Sequence, residues 1–229
     1  MTEEDHVDMS ELIPCAPFDS EWMFDELYNA AGNFTDIDLT RLTQYILREN
    51  KEKLLRWPAA FKLHHAQRGG LLYHTYTILK LARSVCEIYP ALDSDLVYAG
   101  VILHDIAKLF ELDAGKLGLA SGYTAEGQLV GHITMGVAMV GKAAAELCIP
   151  DELCMLVQHM LLAHHGIPEH GSSRPPMFPE AEVLSELDML DSRLYEMFEA
   201  LEDMEKGAFT ERIWALDNRQ LYRHGHNNL

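Results

Sequence analysis

The sequence has no long uninterrupted hydrophobic run and no N-terminal targeting signal. Its longest segment without Asp, Glu, Lys or Arg, Leu153–Pro168, contains three histidines, whereas a transmembrane helix needs about 20 predominantly apolar residues. The first residues, MTEEDHVDMSEL, are acidic and lack the basic-then-apolar order of a signal or transit peptide. We therefore expect a protein that is neither membrane-bound nor secreted.

Paired cysteines are also missing. The four cysteines, Cys15, Cys86, Cys148 and Cys154, form no CxxC motif. A cysteine-ligated zinc site or a disulfide framework would show paired spacing. We interpret all four as reduced thiols of a cytoplasmic protein.

A basic surface is absent as well, because the 229 residues carry a formal net charge of −18. Residues 1–40 contain eleven acidic residues and neither Lys nor Arg, and residues 180–205 contain ten acidic residues and one arginine. Residues 41–179 contain thirteen acidic and thirteen basic residues. No stripe of Lys and Arg predicts nucleic-acid binding through phosphate contacts alone.

Helical periodicity dominates what is present, and no clear alternating strand pattern occurs. The predicted helices begin near Ser20 and Asp38 and then cover about 70–88, 93–110, 128–148, 151–164 and 180–205. Gly115–Gly127 and Gly166–Pro179 predict loops. With one size-appropriate core and no linker, the sequence predicts a single all-α domain.

Twelve histidines are many for this length, and nine of them fall between residues 64 and 170. His104 and Asp105 lie inside the apolar run VYAGVILHDIAKLF, where an ionised aspartate is costly to bury unless it is paired or binds a metal. Neutral imidazoles and carboxylates together suit Mn, Fe, Co, Ni or Zn better than Ca or Mg. The pattern therefore predicts a transition-metal site with open coordination positions.

Several segments together resemble the HD-domain metal-dependent phosphohydrolase superfamily, and in particular its bacterial 3′→5′ exoribonucleases of the YhaM type. They are PAAFKLHHAQRGGLLYHT, LHDIAKLFEL, YTAEGQLVGHI, HMLLAHHGIPEHGS, EAEVLSELDMLD and LDNRQLYR. The resemblance extends from about Phe18 to Arg223 and implies a single HD-domain helical bundle. Members of that family usually carry an N-terminal OB-fold domain, which residues 1–18 are too short to form.

The resemblance implies domain limits and a ligand set. It divides the chain into an acidic flexible tail (1–18), an HD phosphohydrolase domain (19–205, with its metal-site core at about 64–191) and a C-terminal extension that packs on the domain (206–229). The implied metal ligands are His74, His104, Asp105, His132, His164, His165 and Asp188. Asp105 would bridge two ions, and Asp191 is the alternative to Asp188 as the last ligand. Three-metal relatives carry a glutamate one turn before the first histidine, whereas Gly70 stands here, which implies one or two ions, with Mn²⁺ as the first choice.

The resemblance also implies a reaction and its participants. A hydroxide activated by the metals would attack phosphorus, with Asp105 and Lys108 as catalytic residues, and the products would be nucleoside 5′-monophosphates. Lys108, Arg68, His65 and Arg174 are the implied substrate contacts. The implied substrate is a short single-stranded RNA or oligonucleotide shortened from its 3′ end. A nucleotide phosphomonoesterase and a non-catalytic metal-binding regulatory module remain alternatives, and a homo-oligomer is possible.

Overall fold

The computed structural model describes residues 13–61, 65–115, 117–166 and 173–226, so most of the predicted acidic tail and His64 lie outside the described residues. The helices are α1 (Ser20–Gly32), α2 (Ile37–Leu54), α3 (Gly70–Ile88), α4 (Ser94–Leu103), α5 (Lys108–Glu111), α6 (Ala125–Leu147), α7 (Asp151–Ala163) and α8 (Pro179–Glu202). A two-stranded antiparallel hairpin of β1 (Leu112–Ala114) and β2 (Ala120–Tyr123) and a 3₁₀ turn (Trp214–Leu216) complete the elements. The prediction of an all-α helical bundle is confirmed.

Short polar side chains fix the starts of four helices. Asp19, Asp36, Asp93 and Thr124 each accept a hydrogen bond from a backbone N–H in the first turn of α1, α2, α4 and α6, respectively. Such N-caps satisfy donors that a helix leaves unpaired. Helix α4 is apolar on all sides, and it contacts α1, α2, α3, α7 and α8 at the centre of the bundle.

The predicted helix over 93–110 is wrong beyond its centre. Helix α4 ends at Leu103, the next residues form a turn, and α5 begins at Lys108. The predicted loop Gly115–Gly127 is also wrong from Ala120 onward, because β2 and the start of α6 occupy that part. Strands of three and four residues are too short to show an alternating pattern in sequence.

The two ends of the described chain contact the bundle. The Arg68 backbone pairs with the segment around Cys15, where Arg68 N donates to Pro14 O at 3.0 Å and Ala16 N donates to Arg68 O at 2.9 Å. After α8, an antiparallel ribbon pairs Phe209 with Tyr222 and ends in the 3₁₀ turn. Among the described residues, no helix combines the length and apolar character that a membrane span requires.

Candidate metal centre

Two histidines at the ends of helices are oriented in the same way. His104 follows α4 and donates from Nδ1 to the Val101 carbonyl at 2.8 Å, and His164 follows α7 and donates from Nδ1 to the Leu161 carbonyl at 2.7 Å. Each bond returns to the residue three positions earlier. Because Nδ1 carries the proton in this arrangement, Nε2 is left as a lone-pair donor.

A carboxylate on α8 orients the third histidine. His74 on α3 donates from Nδ1 to Asp191 Oδ2 at 2.7 Å, and His65 Nε2 lies 2.9 Å from the same oxygen. Burial lowers the pKa of His74, but hydrogen bonds with Asp188 and Asp191 outweigh burial and raise it to about 9. Burial raises the pKa of Asp191, but its bonds with His65 and His74 bring it down to about 2. Asp191 therefore lies behind His74 and faces its Nδ1.

The Nε2 atom of His74 faces a first group of ligand atoms. It lies 3.3 Å from His104 Nε2, 3.2 Å from Asp188 Oδ1 and 3.6 Å from Asp105 Oδ2. Ligand atoms about 2.1 Å from one ion are separated by roughly 3.0–3.4 Å in octahedral or tetrahedral coordination. The first group consists of His74, His104, Asp105 Oδ2 and Asp188. Distances between its ligand atoms run from 3.2 Å to 3.9 Å, so the group would hold a single cation after small inward shifts.

The second carboxylate oxygen of Asp105 faces a different set. Asp105 Oδ1 lies 3.4 Å from His132 Nε2 and 3.7 Å from His164 Nε2. The His165 ring lies 4.2 Å from that of His164 and 5.5 Å from that of His132, measured between centroids. The imidazoles of His132, His164 and His165 form one of the clusters that could hold a metal ion. We call Asp105 Oδ1, His132, His164 and His165 the second group.

Three buried atoms of the second group lack a hydrogen-bond partner among the described residues: Asp105 Oδ1, His132 Nε2 and His164 Nε2. Each unsatisfied buried polar atom costs about 1–3 kcal/mol. Burial also holds the pKa of His164 well below its usual range and lowers the pKa of His165, so both imidazoles stay neutral. Neutral imidazoles and a carboxylate with unused lone pairs are what a divalent transition metal needs, so this site fits such an ion.

Lys108 lies against the carboxylate that both groups share. Its Nζ is 2.6 Å from Asp105 Oδ2, and the side chain is almost entirely buried. Burial raises the pKa of Asp105, but the positive charge of Lys108 holds it well below its usual range. Burial lowers the pKa of Lys108, but Asp105 raises it above the ordinary value. The pair therefore stays ionised.

A cavity of roughly 600 Å³ is lined by Asp188 of the first group and by His132, His164 and His165 of the second group. Among the predicted substrate contacts, Lys108 lines it, whereas Arg68 lines a different surface depression beside Cys15. His65 is buried behind Asp191, and Arg174 is exposed on the segment before α8. The cavity wall is completed by residues of α8, β2 and the C-terminal turn, among them Tyr123, Ser192, Arg193, Glu196 and Trp214.

Sequence reasoning missed Glu111. Its Oε1 accepts two hydrogen bonds from His132, one from the backbone N–H at 3.0 Å and one from Nδ1 at 2.9 Å. The backbone N–H is available because Gly131 leaves helical geometry inside α6 with a φ of 76°. A buried glutamate at the end of the run LHDIAKLFEL was the available signal, since buried carboxylates are rarely unpaired.

Comparison with known proteins agrees with this geometry. The HD domain family model matches residues 71–193. The 3′-5′ exoribonuclease YhaM of Bacillus licheniformis is 41% identical over 221 residues, which cover 96% of this chain and 69% of that protein. The protein of the same name from Bacillus subtilis strain 168 is 39% identical over 223 residues, which cover 97% of this chain and 70% of that protein. No solved structure gives a significant match.

The family model covers more than half of the chain, and the relatives align with almost all of it. HD domains bind divalent metals, and three histidine-containing clusters among the described residues could hold one. The chain belongs to the HD-domain family of metal-dependent phosphohydrolases and, within it, to the family of the YhaM 3′-5′ exoribonucleases.

Proposed function

We propose that this protein is a metal-dependent 3′→5′ exonuclease that releases nucleoside 5′-monophosphates from short single-stranded RNA or oligonucleotides. The observation that carries the proposal is one buried carboxylate, Asp105, that faces two groups of imidazoles. Asp188 of the first group and the three histidines of the second group line an open cavity. The two relatives are 3′-5′ exoribonucleases by name, and a metal site of this kind is suited to phosphodiester hydrolysis.

The proposed ligand sets follow the two groups. One ion would be held by His74, His104, Asp105 and Asp188, and a second by Asp105, His132, His164 and His165. Asp188 is preferred to Asp191 because its carboxylate lies on the Nε2 side of His74, whereas Asp191 is occupied by His74 Nδ1 and His65. Mn²⁺ is the proposed ion because this mixture of imidazole and carboxylate ligands suits it, with Fe, Co, Ni and Zn as alternatives.

The ions would supply a hydroxide nucleophile near neutral pH and would offset the negative charge that develops on the phosphate. Lys108 would share its positive charge between Asp105 and a non-bridging phosphate oxygen, since it lies at the cavity floor. His65 acts through Asp191 and His74 as a positioning residue. Phosphate contacts by Arg68 and Arg174 stay predictions from the sequence.

The test uses purified protein, Mn²⁺ and a 5′-labelled single-stranded RNA, beside a panel of nucleoside mono-, di- and triphosphates. We expect a ladder of shortening products that disappears in Asp105→Asn. Asp113→Asn is the matched control, because the same change is made on an exposed carboxylate of β1. Intact RNA with phosphate released from a nucleotide would replace the exonuclease with a phosphomonoesterase, and no turnover at all would favour a regulatory module.

We further propose a cytoplasmic location, because Cys15, Cys86, Cys148 and Cys154 are all unpaired, as thiols are in a reducing compartment. A homo-oligomer has no support from the described residues or from the relatives. Fractionation of the native cells with detection of the endogenous protein tests the location, and recovery in a membrane or extracellular fraction would contradict it.

A further inference from the structure

Trp214 is the most exposed tryptophan of the chain and lines the same cavity as His132, His164, His165 and Asp188. Its side chain is 78% exposed, compared with 42% for Trp22 and 8% for Trp57. It also lines the cavity, so the indole stands at the mouth while Lys108 and His164 lie deeper. A single exposed apolar residue is ordinary, so its support and its setting decide what it does.

The backbone turn that carries Trp214 is anchored to the domain. Leu216, two residues after Trp214, is completely buried and anchors the 3₁₀ turn to the domain. The Leu216 carbonyl accepts hydrogen bonds from the Arg219 backbone N–H at 3.1 Å and from Arg219 Nε at 3.0 Å. Asp217 on the same turn pairs with Arg193 of α8, with 3.2 Å between Oδ2 and a guanidinium nitrogen. These contacts hold the backbone that carries the indole at the cavity wall.

The cavity around Trp214 contains a second aromatic ring and has little electrostatic attraction for phosphate. Tyr123 of β2 also lines the cavity and is 48% exposed. Among the described residues, the cations of the lining are Lys108 and Arg193, and each already faces a carboxylate. Glu111, Asp188, Glu196 and Asp217 also line the cavity, in a chain of net charge −18. Beyond the phosphate at the proposed ions, these side chains offer little attraction to a nucleic-acid backbone, so further affinity has to come from another part of the nucleotide.

We propose that Trp214 is a stacking platform for a base next to the scissile phosphate, an inference that rests on the proposed exonuclease function. Every base offers a flat π-face, so stacking on an indole binds single strands with little dependence on sequence. Tyr123 supplies a second ring of the same cavity wall. The platform gives the site selectivity for nucleotides over small phosphate esters without a basic surface.

The experiment compares wild type, Trp214→Leu and Trp214→Phe on short single-stranded RNA, with Trp22→Phe as the control at a tryptophan that contacts Tyr76 instead of the cavity. Removal of one stacking contact should raise KM by about 10- to 100-fold, with a much smaller change in kcat, and Phe should restore part of the loss. RNA that is abasic at both of its last two positions should be cleaved equally by wild type and Trp214→Leu. An equal loss on normal and abasic RNA, or an unchanged KM, would overturn the platform.

Binding without turnover separates this inference from the exonuclease proposal. Adenosine 5′-monophosphate should quench the tryptophan emission of wild type and of Trp22→Phe, but not that of Trp214→Phe. If wild type leaves RNA intact while the nucleotide still quenches Trp214, the exonuclease proposal fails and the platform stands. If Trp214→Leu shortens RNA normally, the platform fails and the exonuclease stands. Emission that responds to protein concentration and not to nucleotide would assign Trp214 to contacts between copies of the chain and overturn the platform.

Discussion

The two ligand groups share Asp105 but differ in how their atoms are satisfied. In the first group, His74 Nε2 lies within 3.3 Å of both Asp188 Oδ1 and His104 Nε2. In the second group, Asp105 Oδ1, His132 Nε2 and His164 Nε2 are buried without a hydrogen-bond partner among the described residues. The first group thus has polar contacts between its own members, whereas three atoms of the second group lack a hydrogen bond and would gain more from an ion.

This difference predicts how much an added ion would stabilise each group. An imidazole and a carboxylate that attract each other lose that attraction when a cation takes their lone pairs, whereas unsatisfied atoms lose nothing. We therefore expect an ion in the second group to stabilise the fold more, relative to its metal-free state, than an ion in the first group.

The largest expected effect comes from removing the atom that both groups share. In Asp105→Ala, both sites lose a ligand and Lys108 loses its partner. Metal catalysis provides several kcal/mol, so activity should fall by about 10³-fold or more. Metal content measured after gel filtration should fall at both sites together, and retention of one full equivalent would show that the groups are independent.

The next effect is stabilisation by added metal. Saturation at about 100 times the dissociation constant contributes about 2.7 kcal/mol to the free energy of unfolding. Thermal unfolding should therefore shift upward by several degrees when Mn²⁺ is added to chelator-treated protein. His132→Ala should remove most of that shift and Asp188→Asn a smaller part. A larger loss in Asp188→Asn would reverse the comparison.

A substitution at Glu111, which contacts His132 of the second group, should lower the binding affinity of one ion only. Glu111→Gln replaces the charged acceptor that orients His132 through two hydrogen bonds. Loss of such an orienting partner typically lowers metal affinity by about 10- to 100-fold. Metal titration should show one weakened and one unchanged site, with the exposed Glu126→Gln as control. Equal weakening of both sites would mean that Glu111 only supports the fold.

The smallest effect concerns the helix that carries His132. Thr124→Ala removes the N-cap of α6 and a hydrogen bond to the Phe110 carbonyl, and it should cost about 1 kcal/mol of stability. Denaturant unfolding measures this loss. Asp19→Ala, at the N-cap of α1, should cost a similar amount with no change in metal affinity, whereas Thr124→Ala should also weaken the second site slightly.

The sequence predicted those parts of the molecule that depend on local hydrophobic periodicity or on the chemistry of neighbouring residues. The long helices and the buried His104–Asp105 pair follow from apolar spacing and from the cost of burying an aspartate. The turn after Leu103 and the hairpin after Glu111 do not, because short elements depend on tertiary contacts. Arg68 shows the same limit at the site, since only the three-dimensional structure reveals that it lies beside Cys15 and outside the cavity lining.

The difference between Asp188 and Asp191 likewise required coordinates. Both lie on one face of α8, three residues apart, and both are buried near His74. Helical spacing alone places them together. The separation arises from the two nitrogens of one imidazole, which point in opposite directions and meet one carboxylate each.

Gly70 stands one helical turn before His74, at a position where the structure has no room for a side chain. A Cβ atom at position 70 would overlap the backbone carbonyl of His65. His65 has a positive φ of 55°, and its ring is held by Asp191, so the loop has little freedom to move away. A glutamate at this position, like any residue with a Cβ atom, would therefore need the backbone around His65 to shift. A single substitution at position 70 therefore cannot add a carboxylate one turn before His74 without rebuilding that backbone.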